Sequence, residues 1–351
     1  MPRLSTSLLR NAKAIDPLLP SLLRPCRTLQ AAQNELRWLR EHVLGDHRTR
    51  NHTAAHQASI LRRLVRDRAS GKPLQYILGT EFFGDLEIAC RPGVLIPRQE
   101  TAASITHLTH LLLTCGALPR SLRVLDLCTG TGCIPLLFRH ELLSARNDTR
   151  LQLLGIDISP SALALAKHNA QRLTNDTPHI SIEFLRSNIL STAPPDSLAH
   201  TLTTHSQPTT WEILISNPPY ISPSAFWKST TRSVRGFEPK LALVPPALKP
   251  GIGDTEQGDV FYSRLLAVAE EVGARVVLVE VADLEQAGRV ARIVKKKNVW
   301  DGVEIWRDWP DGHEEEQGGG DEERLGCKIL GSGNGRSVVF WREEGRAWLG
   351  K

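Results

Sequence analysis

The most specific chemistry in this chain is offered by four consecutive residues after an apolar run, namely Asn217, Pro218, Pro219 and Tyr220. The run, residues 211–216, predicts a buried strand that ends at a pocket. Each proline fixes its φ angle and lacks an N–H donor, so the turn is rigid and its carbonyls can accept hydrogen bonds from a ligand. Asn217 and the Pro218 carbonyl could each accept one hydrogen of a planar NH2 group, with the Tyr220 ring against the flat face of that group. An ordinary Asn-Pro turn that closes a strand has the same sequence.

A second candidate ligand site lies upstream, where an apolar strand ends at Asp126 and Leu127 and a glycine-containing turn follows. Glycines at 130 and 132 allow the backbone to approach a ligand without interference from a Cβ atom. A dinucleotide-binding loop has Gly or Ala three residues after its second glycine, whereas this chain has Pro135, which disfavours a bound diphosphate. Asp126 could hold the loop or contact a positively charged ligand such as a sulfonium amino acid.

Asp157 follows the next apolar strand, residues 151–156. Ser159 is then a predicted N-cap and Pro160 the first residue of a helix that ends at about residue 172. A carboxylate at this position of a Rossmann-like sheet can accept hydrogen bonds from both hydroxyls of a ribose. The alternative is a charge that interacts with the helix dipole.

A third apolar run, residues 180–185, predicts another strand and precedes Asn188 and Ile189. Asn188 could bond the edge of an adenine and Ile189 could cover its face. A role as a turn former is the alternative for Asn188.

These motifs, together with several other blocks, resemble the release-factor glutamine methyltransferase family. The blocks are Asn-Pro-Pro-Tyr at 217–220, Asp-Leu-Cys-Thr-Gly-Thr-Gly at 126–132, Lys-Pro-Leu-Gln-Tyr-Ile-Leu-Gly at 72–79, Phe-Phe-Gly at 82–84, Leu-Ile-Pro-Arg-Gln-Glu-Thr at 95–101 and Phe-Glu-Pro-Lys-Leu-Ala-Leu at 237–243. The resemblance extends from about residue 60 to residue 282 and resumes near the carboxyl end. Its mitochondrial, fungal-type branch is favoured.

The resemblance implies an α/β fold, a Rossmann-like S-adenosylmethionine-dependent methyltransferase sheet with a small amino-terminal helical domain. The implied reaction transfers a methyl group to the side-chain amide nitrogen of the Gln in the Gly-Gly-Gln motif of a peptide-chain release factor. The implied catalytic residues are Asn217, Pro218, Pro219 and Tyr220. With the residues considered above, the expected cofactor contacts are Asp126, Cys128, Thr129, Gly130, Thr131, Gly132, Asp157, Asn188, Ile189 and Asn217.

Two positions depart from the family pattern, which usually has Gly where this chain has Cys128 and Asp where it has Asn188. Cys is small, and Asn can still accept a hydrogen bond from an adenine amine through its carbonyl. Arg98, Glu100 and Thr101 lie in a block that joins two domains in the family. Either they contact ligand or they brace the domains, and bracing is the favoured interpretation.

The chain, with 351 residues of which 41% are hydrophobic, is long enough for a catalytic domain and a smaller one. The predicted division has a possible targeting segment at 1–15, a helical substrate-recognition domain at 16–90, an interdomain connection at 91–120 and the catalytic domain at 121–351. Residues 191–210 and 311–335 are predicted as loops, the second one flexible. The arginines of the predicted helical region at about 28–68 could contact an acidic partner or ribosomal RNA, but a solvated helix face is the favoured interpretation.

The first fifteen residues contain Arg3, Arg10 and Lys13 and no acid, which resembles a mitochondrial presequence. A mitochondrial location is therefore favoured over a cytoplasmic one. No apolar run is long enough to span a bilayer, and the six scattered cysteines favour neither a metal site nor disulfides. The net charge of +5 is modest for this length, so no direct nucleic-acid substrate is expected.

Two other functions remain open at the level of sequence. An enzyme that methylates the exocyclic amine of adenine in DNA or RNA would also need a site for a planar NH2 group, and Tyr220 could stack on a flipped base. A non-catalytic assembly factor would keep the fold without the chemistry. Cofactor binding would separate the assembly factor from both enzymes.

Overall fold

The computed structural model describes residues 4–45, 53–114, 118–146, 149–175, 177–312 and 318–351. Contacts between Cα atoms divide the chain into two compact units. The first comprises Met1–Thr80, Cys90–Pro92 and Thr230–Glu238, and the second comprises Glu81–Ala89, Gly93–Ser229 and Pro239–Lys351. None of the helices in the described ranges is both long enough and apolar enough to cross a membrane.

The first unit is helical, as predicted for the amino-terminal domain at 16–90, but Glu81–Ala89 of that predicted domain belong to the second unit and form strand structure. The helices of the first unit are α1 (Thr6–Ile15), α2 (Leu19–Cys26), α3 (Leu29–Gly45), α4 (Ala54–Ala69), α5 (Leu74–Leu78) and α11 (Arg232–Phe237). Helix α3 buries Ala32, Leu36, Leu39 and Val43, a spacing of three or four residues that places them on one helix face. Helix α1 contributes the fully buried Ala12 to the same core, so part of the predicted targeting segment packs inside this unit. Arg3 and residues 46–52 lie outside the described residues.

The second unit is built on an eight-stranded sheet with the order β5-β4-β3-β6-β7-β10-β8-β9. Its strands are β3 (Ser121–Leu127), β4 (Arg150–Asp157), β5 (Ile180–Arg186), β6 (Ile213–Ser216), β7 (Val276–Glu280), β8 (Gly302–Trp309), β9 (Lys328–Leu330) and β10 (Ser332–Trp341). Strands β3 to β7 pair in parallel, and β10 lies antiparallel between β7 and β8. A separate two-stranded sheet is formed by β1 (Thr80–Phe83) and β2 (Leu86–Ala89).

Helices cover both faces of the large sheet, which confirms the predicted α/β fold class. They are α6 (Gln99–Thr114), α7 (Cys133–Ala145), α8 (Pro160–Leu173), α9 (Leu198–Thr204), α10 (Pro223–Lys228), α12 (Asp254–Gly258), α13 (Val260–Glu271), α14 (Leu284–Lys296), α15 (Gly318–Leu325) and α16 (Glu344–Trp348), with a 3-10 turn at Lys240–Ala242. Successive side chains of β3 point to opposite faces of the sheet and so pack in two different hydrophobic cores. Val124 packs with α6 and α7, whereas Leu125 packs with α13 and α14.

The strand order reverses direction between β3 and β6. The chain runs from β3 outward through β4 to β5, then returns to the other side of β3 to form β6. Ligands of open α/β sheets bind at such a reversal, outside the carboxyl ends of the strands. The loops that follow β3 and β6 are therefore the expected place for a site.

Three predicted boundaries differ from the structure. The region 311–335 is not one loop, because α15 and β9 form within it and the buried Leu325 and Ile329 pack in the sheet core. Residues 313–317 lie outside the described part. The predicted loop at 191–210 contains α9, which Ser197 caps by accepting a hydrogen bond from the His200 amide. Most of the predicted interdomain connection at 91–120 belongs to the second unit, where α6 packs on α7 and β8; residues 115–117 are outside the described part.

Candidate functional site

A cavity of about 500 Å³ lies beyond the carboxyl ends of β3, β4 and β6. Its volume is within the range of about 300–1,000 Å³ that is usual for small-molecule sites. Nine of the residues predicted from the sequence line it, namely Cys128, Thr129, Gly130, Thr131, Asp157, Asn188, Ile189, Asn217 and Pro219. The other four predicted residues, Asp126, Gly132, Pro218 and Tyr220, are not among the residues that line it.

The glycine-containing turn has the backbone conformation that its sequence predicts. Gly130 and Gly132 have φ angles of 55° and 76°, in the left-handed region that favours glycine. A Cβ atom on Gly132 would lie 3.0 Å from both Ala166 and Phe184, so this glycine also permits close packing. Cys128 has a φ of 65°, although it carries a side chain. The usual Gly of the family therefore corresponds to a conformational requirement at this position, which Cys meets at a cost of roughly 1–2 kcal/mol.

Asp157 is held by two backbone amides at the tip of β4. Its Oδ2 accepts a hydrogen bond of 2.9 Å from the Gly130 amide, and its Oδ1 accepts one of 2.8 Å from the Ser159 amide. Burial raises the pKa of this carboxyl, while the two amide donors oppose that rise. The carboxylate thus joins the glycine turn to the start of α8 and has lone pairs left for a ligand. Ser159 caps α8 through Ala162, as predicted.

Asp126 is fully buried at the end of β3. Neither carboxylate oxygen has a hydrogen-bond partner of normal geometry among the described residues, and only a weak interaction with the Thr129 hydroxyl opposes the effect of burial. Burial raises the pKa of Asp126 to about 8, and the nearby Asp157 acts in the same direction. A buried carboxylate without a full set of donors is stabilised by any cationic group that binds nearby.

Asn188 and Ile189 lie on the cavity wall beyond β5. The Asn188 Oδ1 accepts a hydrogen bond of 3.1 Å from the Leu190 amide, so this residue does form the local turn that was the alternative to a ligand contact. Ile189 is 5% exposed and packs in the core beside α13. Both remain predicted adenine contacts.

The Asn-Pro-Pro-Tyr turn leaves β6 directly into the cavity region. Ser216, the last residue of β6, donates a hydrogen bond of 2.7 Å to the Leu127 carbonyl and so ties the starts of the two turns together. Asn217 donates from Nδ2 to the Thr101 hydroxyl at 3.3 Å. The Tyr220 hydroxyl donates to Glu280 Oε1 at 2.9 Å. Burial and the Glu280 carboxylate raise the pKa of Tyr220.

Thr101 lies at this site, and bracing of the two domains stays a prediction for Arg98, Glu100 and Thr101. It lines the cavity, and its hydroxyl donates to Glu280 Oε2 while it accepts from Asn217. Arg98 also lines the cavity, whereas Glu100 does not.

Sequence reasoning missed Glu280, which is 2% exposed at the end of β7. A signal was present, since this lone acid is the last residue of an otherwise apolar strand, as Asp157 is the last residue of β4. It also missed an apolar part of the wall that includes Phe83, Pro246, Leu248 and Phe261.

Comparison with known proteins identifies the family. The PrmC N-terminal domain model matches residues 25–79. The mitochondrial MRF1 N(5)-glutamine methyltransferase MTQ1 of Saccharomyces cerevisiae is 38% identical over 248 residues, which cover 70% of this chain and 68% of the yeast protein. The chain belongs to the release factor glutamine methyltransferase family. A release factor glutamine methyltransferase of Nitratidesulfovibrio vulgaris is 33% identical over 255 residues, 70% of this chain and 72% of that protein.

Family membership confirms the resemblance on which the sequence analysis depended. The chain is therefore a methyltransferase, and its helical amino-terminal region contains the PrmC N-terminal domain.

Proposed function

We propose that this protein transfers a methyl group from S-adenosylmethionine to the side-chain amide nitrogen of a release factor glutamine, in a Gly-Gly-Gln motif. The observation that carries the proposal is that Asn217 lines the same cavity as the glycine turn and Asp157. An acceptor for a planar amide thus lies beside a wall suited to a nucleoside. The yeast relative is named for the same reaction on MRF1.

The cavity suits this cofactor chemically. Asp157 offers carboxylate oxygens for a ribose, and Ile189 offers an apolar surface for adenine. Asp126 is a buried carboxylate whose pKa burial raises to about 8, so a positive charge nearby would stabilise its ionised form. When bound, S-adenosylmethionine supplies an activated methyl group on a sulfonium sulfur.

The turn after β6 orients the substrate amide. The Asn217 Oδ1 and the Pro218 carbonyl accept its two N–H hydrogens, and this fixes the direction of the nitrogen lone pair. An amide nitrogen is a poor nucleophile because its lone pair is delocalised, so positioning is the main contribution available to the protein. The same two oxygens stabilise the positive charge that grows on the nitrogen as the N–C bond forms and the S–C bond breaks. The surplus proton on nitrogen then passes to water.

A mitochondrial release factor is the proposed substrate, and the mitochondrion the proposed location. The support is the mitochondrial name of the yeast relative together with the presequence-like composition of residues 1–15. No direct nucleic-acid substrate is proposed.

The test replaces Asn217 by Ala, which removes one acceptor and leaves both prolines in place. Turnover on a purified release factor should fall by roughly two to three orders of magnitude. The loss should lie mostly in kcat, because the nitrogen becomes charged only in the transition state. The dissociation constant for S-adenosylmethionine, measured by calorimetry, should barely change.

The matched control is Asn175→Ala, which makes the same substitution at an exposed loop position of the same unit. Near-normal turnover by Asn217→Ala would contradict the proposed role. The wild-type protein should be incubated with labelled cofactor and a panel of release factor, tRNA, rRNA and DNA. A label on adenine instead of glutamine would support the nucleic-acid enzyme, and failure to bind the cofactor would support the assembly factor.

A further inference from the structure

Glu280 is placed where β7 runs beside β6, next to the turn that carries Asn217. The strands pair in parallel with Ser216 opposite Val279, so the residues that follow are neighbours: Asn217 comes directly after β6, and Glu280 is the last residue of β7. Glu280 is 2% exposed, and its two carboxylate oxygens accept hydrogen bonds from Thr101 and Tyr220.

The hydrogen bonds in this cluster have a defined direction. Thr101 has one hydroxyl hydrogen, and it donates that hydrogen to Glu280 Oε2. Thr101 can therefore only accept from Asn217, whose Nδ2 donates to it at 3.3 Å. An amide that presents nitrogen on one side presents oxygen on the other, so this bond also determines where Asn217 Oδ1 is directed.

Without Thr101, two orientations of the Asn217 amide related by a half-turn would compete. One presents an acceptor to the substrate NH2 group, and the other presents a donor, which repels it. The distinction matters only if the substrate is an amide or amine, so the inference rests on the proposed function.

We propose that Thr101 and Glu280 form a positioning pair that sets the amide orientation of Asn217, so that its oxygen faces the substrate nitrogen. Neither residue needs to touch the reacting atoms. The pair acts as the outer partners of metal ligands do, by fixing the rotamer and polarity of the group that makes the contact.

The surroundings of Glu280 hold it in place. The Tyr262 hydroxyl donates to the Glu280 backbone carbonyl at 3.0 Å. Burial raises the pKa of the Glu280 carboxyl, whereas the hydrogen bond from Thr101, the charge of Arg336 and the hydrogen bond from Tyr220 favour its ionised form. Arg336 is itself held by Asp308 at 2.8 Å. Ser337 on β10 is directly opposite Glu280 in the antiparallel ladder. The Glu280 carboxylate, which accepts the hydrogen bond from Thr101, is thus held in place by β7, β10 and Arg336.

The central experiment replaces Thr101 by Val, which keeps the shape of the side chain but removes the hydroxyl. The kcat for release factor methylation should fall by roughly 10–100-fold, by analogy with the loss seen when outer partners of metal ligands are removed. The dissociation constant for S-adenosylmethionine should stay within about twofold of wild type, and Thr101→Ser should recover most of the lost kcat because it restores the hydroxyl.

Thr109→Val is the matched control on the same helix. Thr109 is 1% exposed, and its hydroxyl donates to the Ile105 carbonyl at 2.9 Å, so the substitution removes a buried hydroxyl without touching the Asn217 cluster. The control should keep kcat. Should Thr101→Val prove unstable relative to the control in urea unfolding, Thr101→Ala takes its place in the same assays.

A double-mutant cycle separates positioning from a general loss of structure. In the Asn217→Ala background no side-chain amide remains to be oriented, so adding Thr101→Val should change the residual kcat by less than about twofold. An equal loss in both backgrounds would overturn the inference, as would a Thr101→Val enzyme with wild-type kcat. A wild-type protein that does not methylate glutamine would instead refute the proposed function, whatever the variants do.

Discussion

Replacing Asp126 by Asn should stabilise the ligand-free protein at alkaline pH and weaken its binding of S-adenosylmethionine. The wild-type carboxyl is fully buried, and burial raises its pKa from an ordinary value of 3.8 to about 8. The folded chain therefore retains a proton that the unfolded chain releases. Asn has nearly the same shape and never ionises, so it removes this difference.

The sign and size of the effect follow from the two pKa values. Below pH 3.8 both states are protonated, and ionisation of Asp126 costs nothing. Between the two values the folded state binds the extra proton, so the free energy of unfolding falls as pH rises, by about 1.36 kcal/mol per unit. Above the folded pKa the loss is complete, at most about 6 kcal/mol. From pH 5 to pH 8 the advantage of Asp126→Asn over wild type should grow by up to about 4 kcal/mol.

The assay is urea unfolding of both chains at several pH values from 5 to 9, in the absence of cofactor. The exposed Asp196 supplies the control variant Asp196→Asn, which should track the wild type across this range. Calorimetry at pH 7 should show that Asp126→Asn binds S-adenosylmethionine more weakly than wild type, since the neutral amide of the variant offers no charge to a sulfonium. A difference in stability between Asp126→Asn and wild type that stays constant with pH would refute the reasoning.

Three further outcomes follow from the site and its support. Asp157→Ala should weaken S-adenosylmethionine binding by about 1.5–3 kcal/mol, through loss of charge-assisted hydrogen bonds. An unchanged dissociation constant in a folded variant would show that Asp157 serves only to bond the Gly130 and Ser159 amides. Trp227→Ala should raise KM for the release factor with little effect on kcat, because this side chain is 67% exposed on the helix that follows the turn; an unchanged KM would show that Trp227 does not contribute to binding of the release factor. Leu325→Ala should lower the free energy of unfolding by roughly 2–5 kcal/mol, whereas no effect in urea unfolding would restore the interpretation of this region as a loop.

The sequence predicted the central strands and the helix that starts at Pro160 well, because their signals are local. Apolar runs define β4 and β5, and the Ser159 cap with Pro160 marks the helix start within one residue. Asn217 and Asp157 could be placed at the carboxyl ends of parallel strands by topology alone. These inferences required no knowledge of distant contacts.

The failures concern contacts between residues far apart in the chain. Thr101 and Glu280 are separated by 179 positions, and nothing local indicates that they share a hydrogen bond. The region 311–335 has a Gly-rich and Glu-rich composition typical of a loop, yet β9 forms there because β8 offers an edge with which Lys328 to Leu330 can pair. Tertiary pairing outweighs weak local preference in such segments.

The position of β10 has a consequence for how the chain acquires its function during synthesis. The ribosome delivers β8 before β10, yet β10 must enter between β7 and β8. Strands β7 and β8 therefore cannot pair with each other in the order of synthesis, and β8 can join the sheet only when β10 is available to lie between them. Because β10 also carries Arg336 and Ser337 to the region of Glu280, Asn217 should become oriented only after β10 has paired with β7.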